Sequence, residues 1–488
     1  MIKKIFFIIT IGLEITMAQN IDLAQNLYSN YEIYRETKLT HRRFKHADIL
    51  SLINEVKRQG IFSVEKAGQS VEGRDIYLLS IGRGKSKVFL WSQMHGDEPT
   101  ATMALFDVFN FFHANDGLHD IKKAILDNLT IYFMPMVNPD GAEVYQRRNI
   151  FEIDINRDVN RQQTPEGIIL RKTFESLKPD FGFNLHDQST RYSVSNSFKS
   201  AAISFLAPSL DHDRSVDSVR ENSMKLIGEL YRTLNHFVPG HIAKYGDDYE
   251  PRAFGDNFQK WGTSTILIET GGWKEDTEKQ FLRKLNFITY ISAFYSIASK
   301  SYKHESTKLY DQIPKNEQYL FDLILRNLKY KKDDKEIVID VGINRTENNY
   351  NGANEFYFTS LAEDLGDLSV FFGYEDIDMN GFELQQGKTY PKEFTSMNEI
   401  KDLDFAKLYK EGFTSVILNS KGNSKPFTDL PINIKLKNDK RSTSNQKLLG
   451  SKANFIIRKD GEVHYAVING FVVGVKSHFG MVFNALIQ

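Results

Sequence analysis

Up to Ser299 the chain alternates short apolar runs, bounded by Gly, Asn and Asp turns, with stretches whose apolar residues recur every three or four positions. The runs from Asp75 to Ile81 and Lys87 to Trp91, the segment LTIYFMPMVNPDG (Leu129 to Gly141), DFGFNLHDQ and TSTILIETGG (Thr263 to Gly272) read as strands. Helical spacing marks Ala101 to Phe112, Pro165 to Leu177, about Asp213 to His236 and Thr277 to Ser299. Strands alternating with helices predict an α/β domain with a mixed or largely parallel sheet. Beyond Ser299 the pattern changes. SYKHESTKLYDQIPKNEQ is polar and reads as a linker. From about Tyr319, segments such as EIVIDVGIN, LSVFFGYE and EVHYAVING alternate apolar and polar residues between turns, which predicts an all-β, sandwich-like accessory domain. The expected boundaries are 1–18 for a leader, 19–302 for the catalytic domain, 303–318 for the linker and 319–488 for the β-rich domain.

Composition narrows the chemistry. Among 488 residues, 62 Lys and Arg nearly balance 63 Asp and Glu, so nothing in the charge points to nucleic acid or an anionic membrane as partner. Cysteine is absent, which excludes disulfides, thiolate metal sites and thiol nucleophiles. Any metal must be held by His and carboxylates. At the start, Lys3 and Lys4 precede the apolar Ile5 to Leu13, and Thr16-Met17-Ala18 supplies small residues before a cut after Ala18. This three-part pattern predicts a secretory signal and an exported protein, periplasmic or extracellular. No other segment approaches the ~20 apolar residues that span a bilayer.

Within this frame the candidate residues share one topological position. His95 and Glu98 lie three apart on the turn after the strand ending near Trp91, ahead of a helix opened by Pro99. His186 ends DFGFNLH and Glu269 ends TILIE. In open α/β sheets ligands bind beyond the carboxyl ends of the strands, so these side chains are expected around one crevice. Catalytic zinc takes three protein ligands and keeps a position open for water. Without cysteine, His95, Glu98 and His186 form the coherent set. Glu269, flanked by Gly271 and Gly272 after an apolar strand, is the best-placed general base, and desolvation there would raise its pKa.

HGDE, NPDG, RRN, DINRD, NLHDQ and IETGG, in this order, resemble the zinc carboxypeptidase family of the carboxypeptidase A type, over roughly Asn54 to Ser299. The resemblance implies a mixed, mainly parallel eight-stranded sheet flanked by helices, with one zinc ion held by His95, Glu98 and His186. It implies Glu269 as general base and acid, and Arg147 as the group that polarises the scissile carbonyl and stabilises the oxyanion, a role Arg148 could exchange with it. Asn156 and Arg157 would grip a terminal carboxylate, and Asp154 would orient a ligand histidine. A substrate-capping tyrosine is expected at Tyr245 or Tyr249, and Arg252 to Asp256 would line the specificity pocket. The missing cystines fit a bacterial-type member. The expected activity is hydrolysis of C-terminal peptide bonds in peptides with a free carboxylate. The alternatives are a murein stem-peptide hydrolase of the same family, an N-acyl amino acid deacylase, and a non-catalytic binding protein.

Overall fold

The computed structural model describes residues 20–422, 425–437, 447–476 and 485–487. The expected leader, 1–18, lies outside the described residues. The chain divides into two compact units, the first running to Gln318 apart from 196–198, the second built mainly from Tyr319 onward.

The first unit is organised by an eight-stranded sheet. Its strands are β1 (Ser63–Gln69), β2 (Asp75–Gly82), β3 (Ser86–Ser92), β4 (Leu129–Met134), β5 (Phe181–Asp187), β6 (Ile203–Leu206), β7 (Ile242–Lys244) and β8 (Ser264–Thr270). Their spatial order is β1-β2-β4-β3-β5-β8-β6-β7. The four pairings β4–β3, β3–β5, β5–β8 and β6–β7 are parallel. β1–β2, β2–β4 and β8–β6 are antiparallel. The sheet is therefore mixed, which corrects the mainly parallel expectation. The strands that reverse direction are outlying ones, which the strand–helix alternation does not register.

Central strands read as continuous apolar runs because both of their faces are buried. On β3, Val88 and Leu90 enter one core while Phe89 and Trp91 enter the other. The larger core is covered by α1 (His46–Gln59), α2 (Thr100–His113), α5 (Ser218–Phe237) and α7 (Gln280–Ser299). The smaller is covered by α4 (Pro165–Leu177) and α6 (Phe254–Lys260). The remaining helix of this set, α3 (His119–Asn128), precedes β4. Helix α7 starts three residues later than its apolar spacing predicts. Asp276 stops it there, accepting hydrogen bonds from the backbone N–H groups of Gln280, Phe281 and Leu282.

A buried ion pair joins α7 to α2. Arg283 and Asp107 are both fully buried, with Arg283 Nε donating to Asp107 Oδ2 at 2.7 Å. Tyr31 Oη and the Glu36 N–H also donate to Asp107, and Arg283 Nη2 donates to the Glu36 carbonyl. Removing one member strands the other's charge. Asp107→Ala is expected to cost about 3–5 kcal/mol of unfolding free energy, measured by urea denaturation. A loss under ~1 kcal/mol would mean that water reaches Arg283.

Positions 303–318, polar in sequence, carry a short helix, Thr307–Gln312, and a two-residue strand, Asn316–Glu317, paired with Ser193–Val194. The second unit is β-rich. Its eight-stranded sheet is led by Leu320–Lys332, Lys335–Tyr350 and Glu355–Gly366, antiparallel in sequence. A second sheet of three strands, Lys388–Phe394, Phe413–Leu418 and Asn433–Leu436, is wholly parallel. Two short helices, Met397–Lys401 and Phe405–Lys410, make the first crossover, capped by Ser396 and Asp404. The region is thus β-rich without being all-β. Helices of five and six residues are too short for their period to register.

Candidate metal and catalytic site

The turn between β3 and α2 is fixed by backbone and amide contacts before any metal is considered. Gln93 has a positive φ of 51° and turns the chain out of the strand. Its Oε1 accepts from Thr102 and its Nε2 donates to the Gly96 carbonyl. The Asn138 N–H donates to the Gln93 carbonyl, tying in the NPDG segment. Gly96 packs so tightly there that a Cβ would lie 2.0 Å from the Gly141 carbonyl carbon. Its neighbours His95 and Glu98 are buried.

His186 arrives from β5 and Glu269 from β8, where the two are register partners. His95 Nδ1 lies 2.7 Å from Glu98 Oε1, and His186 Nδ1 lies 2.7 Å from Glu98 Oε2. One donor atom from each of the three residues falls within 4.8 Å of the others. Asp154 Oδ1 lies 3.1 Å from His95 Nε2, which favours the tautomer that leaves Nδ1 facing Glu98. Two imidazole nitrogens and one carboxylate, all buried, are a donor set that fits zinc.

The electrostatics agree with that fit. Burial acts to lower the His95 pKa, but Glu98 and Asp154 outweigh it and push it up to about 9. His186 is lowered, by burial first, against the pull of Glu98. Burial opposes the charge on Glu98 as well, yet the two imidazoles hold it well below the usual carboxylate range. The negative charge that retains a proton here would equally retain a divalent cation. Glu269, 8% exposed, is raised well above the ordinary 4.5, by burial and then by the charge on Glu98.

Arg147 reaches the same cluster. Its Nη1 donates to Glu98 Oε1 at 3.2 Å and its Nε to Asp154 Oδ2 at 3.1 Å. Arg148 instead donates to the Glu152 carbonyl, so Arg147 is the one turned to the site. Asn156 follows Asp154, whose Oδ1 accepts its backbone N–H. Its side-chain Oδ1 accepts from the Phe254 N–H, and its Nδ2 lies 3.4 Å from His186 Nε2. Arg157, on the next residue, is a third exposed and pairs with Glu250.

Residues 49–246 match the family model described as zinc carboxypeptidase. The chain carries a zinc carboxypeptidase domain. Among curated relatives, carboxypeptidase SOL1 of Arabidopsis thaliana is 24% identical over 151 residues, covering 29% of this chain and 31% of the relative. Carboxypeptidase B of Astacus astacus is 38% identical over 82 residues, covering 16% and 26%. Carboxypeptidase D of Homo sapiens is 23% identical over 283 residues, covering 52% and 20%. The chain spans less than a third of the length of these relatives. A metallo-carboxypeptidase from Burkholderia cenocepacia is a similar solved structure, at 15% identity, TM-score 0.43, and coverage of 53% and 70%.

Glu269 lies beyond the matched stretch, and its place beside His186 is given by the register of β5 and β8. The structure also separates the two tyrosines. The Tyr245 hydroxyl is raised by the charge on Glu269 first, then by burial, Tyr192 and Glu98, and its ring lies edge-on to Tyr192. Tyr249 packs edge-on to His212 and takes the Lys260 ammonium over its ring. Two residues of the domain carry no sequence signal. Lys279, buried, pairs with Asp187 at 3.1 Å and donates to the Thr270 carbonyl, the last residues of β5 and β8. Glu250 stands beside the expected carboxylate clamp. Neither a lysine in EDTEKQFLRK nor a glutamate in a loop differs from a solvated charge until the fold is known.

Proposed function

We propose that the chain is an exported zinc metallocarboxypeptidase that hydrolyses the C-terminal peptide bond of peptides with a free carboxylate. The observation that carries this reading is the meeting of His95, Glu98 and His186 at one point, with Glu269 on the adjoining strand. Zinc, held by those three residues, would supply Lewis-acid activation of water and of the scissile carbonyl. Glu269 takes the proton from the attacking water and returns it to the departing amine nitrogen as the C–O bond forms and the C–N bond breaks. Its raised pKa suits both halves of that exchange. Arg147 donates to the oxyanion that develops on the carbonyl oxygen, a contribution typically worth about a hundredfold or more in rate. Asn156 and Arg157 hold the terminal carboxylate, which restricts cleavage to the last residue. Export rests on the three-part pattern of residues 1–18.

The test is metal analysis of the purified protein together with a substrate panel. Expected are about one zinc per chain and release of single C-terminal amino acids from peptides. Release from muropeptides alone would favour the murein stem-peptide reading, and release from N-acyl amino acids alone would favour the deacylase. Arg157→Ala is expected to reduce kcat/KM on free-carboxylate peptides by about 10- to 100-fold, the range for hydrogen bonds to charged groups. An equal loss on C-terminally amidated peptides would remove the clamp from the mechanism.

A further inference from the structure

Arg157, the residue assigned to the substrate's terminal carboxylate, already has a carboxylate beside it. Glu250 Oε2 lies 3.1 Å from Arg157 Nε. Glu250 does not depend on that contact to stay in place. Arg252 donates to both of its oxygens, Nε to Oε1 at 2.9 Å and Nη2 to Oε2 at 3.0 Å. The Arg252 N–H donates to Oε1 as well, and the Glu250 N–H is held by Asp256 Oδ1 at 3.0 Å. The loop thus builds a fixed carboxylate next to the clamp, its charge partly offset by Arg252. Both side chains are about a third exposed, Arg157 at 35% and Glu250 at 27%, so a peptide terminus can reach them.

The consequence follows from charge and from competition for Arg157 Nε. A carboxylate arriving at Arg157 gains the attraction of the guanidinium and meets the repulsion of Glu250 at short range. It must also displace or share the contact Glu250 makes. Arg157 Nη1 is engaged with the Asn156 carbonyl at 2.8 Å, which leaves the Glu250 edge as part of the fork that a two-pronged contact would use. We propose that Glu250 is a specificity-determining residue that occupies the clamp as an internal counter-charge and lowers the enzyme's preference for a free terminal carboxylate over an uncharged terminus. This rests on the carboxypeptidase reading above, with Arg157 as the clamp. The substrates favoured by such a tuned clamp are peptides whose C-terminal carboxylate is shielded or modified as well as those in which it is free.

The experiment compares wild type, Glu250→Gln and Glu250→Asp on an N-acylated dipeptide and its C-terminal amide. Expected for Glu250→Gln is a rise in the free-acid to amide ratio of kcat/KM on the order of fivefold, the upper size of a solvent-accessible ion pair. The rise should come through KM on the free acid, with kcat held, and Glu250→Asp should restore the wild-type ratio. An unchanged or lower ratio in Glu250→Gln overturns the proposal; a raised KM on the free acid would make Glu250 a support for Arg157 instead. Binding of N-acetylphenylalanine by calorimetry gives a reading that needs no turnover. It should tighten about fivefold in Glu250→Gln, again the upper worth of one solvent-accessible pair, and unaltered binding overturns the proposal. Wild type that hydrolyses neither substrate refutes the functional reading, while the calorimetry still decides the role of Glu250.

Discussion

Replacing Glu269 by glutamine is expected to stop turnover while the protein keeps its zinc. The amide has nearly the volume of the acid, so the end of β8 should hold its shape, and Glu269 is not among the three residues whose donor atoms converge. What is lost is the ability to accept and return a proton, a contribution of about 10²–10⁴ in rate for a positioned acid–base group. The expected result is a fall of that size in kcat with little change in KM, and metal content equal to wild type. The pH profile offers a parallel check. Because Glu269 is raised above 4.5, and must be ionised to act, kcat/KM should climb with pH along a limb lying above the ordinary glutamate value. Retained activity in Glu269→Gln would move the base elsewhere, and loss of zinc would make Glu269 part of the metal's support.

His186→Ala is expected to remove metal and activity together. His186 is 3% exposed and lies 2.7 Å from Glu98 Oε2, so truncation deletes a nitrogen donor and leaves that buried carboxylate oxygen with only the Asp187 N–H. Loss of an outer partner of a ligand typically costs about 10- to 100-fold in metal affinity, and loss of the ligand itself should exceed that. Metal analysis after dialysis, beside hydrolysis of a peptide, reads both effects. Full zinc occupancy in the inactive variant would mean that another residue completes the donor set.

Much of the site was legible because polar residues interrupt apolar runs at the ends of strands. His95, His186 and Glu269 each follow a buried segment, and a charged or imidazole side chain at the end of such a segment marks the carboxyl edge of a sheet. The long helices were legible for the same reason, since Pro165–Leu177 and Ser218–Phe237 keep a helical period over several turns. Direction and short elements were not. Ile203–Leu206 is four buried residues, ISFL, and nothing in four apolar letters tells whether the strand runs with β8 or against it. Ser63–Gln69, SVEKAGQ, lies on the edge with most of its side chains toward solvent, so alternation is blurred. Tyr245 and Tyr249 both lie about twenty residues before Glu269, a spacing that does not distinguish them; their surroundings, Tyr249 on His212 and Lys260, come only with the third dimension.

The contact between Gly96 and Gly141 reaches beyond its own turn. With 2.0 Å between a would-be Cβ and the facing backbone, the segment carrying His95 and Glu98 is pressed against the one that leads to Arg147. Any library that randomises these loops would lose most members at these two positions, which carry no side chain of their own. Tolerance to change at this point is therefore governed as much by residues without side chains as by the acids, bases and guanidinium groups whose backbone they hold in place.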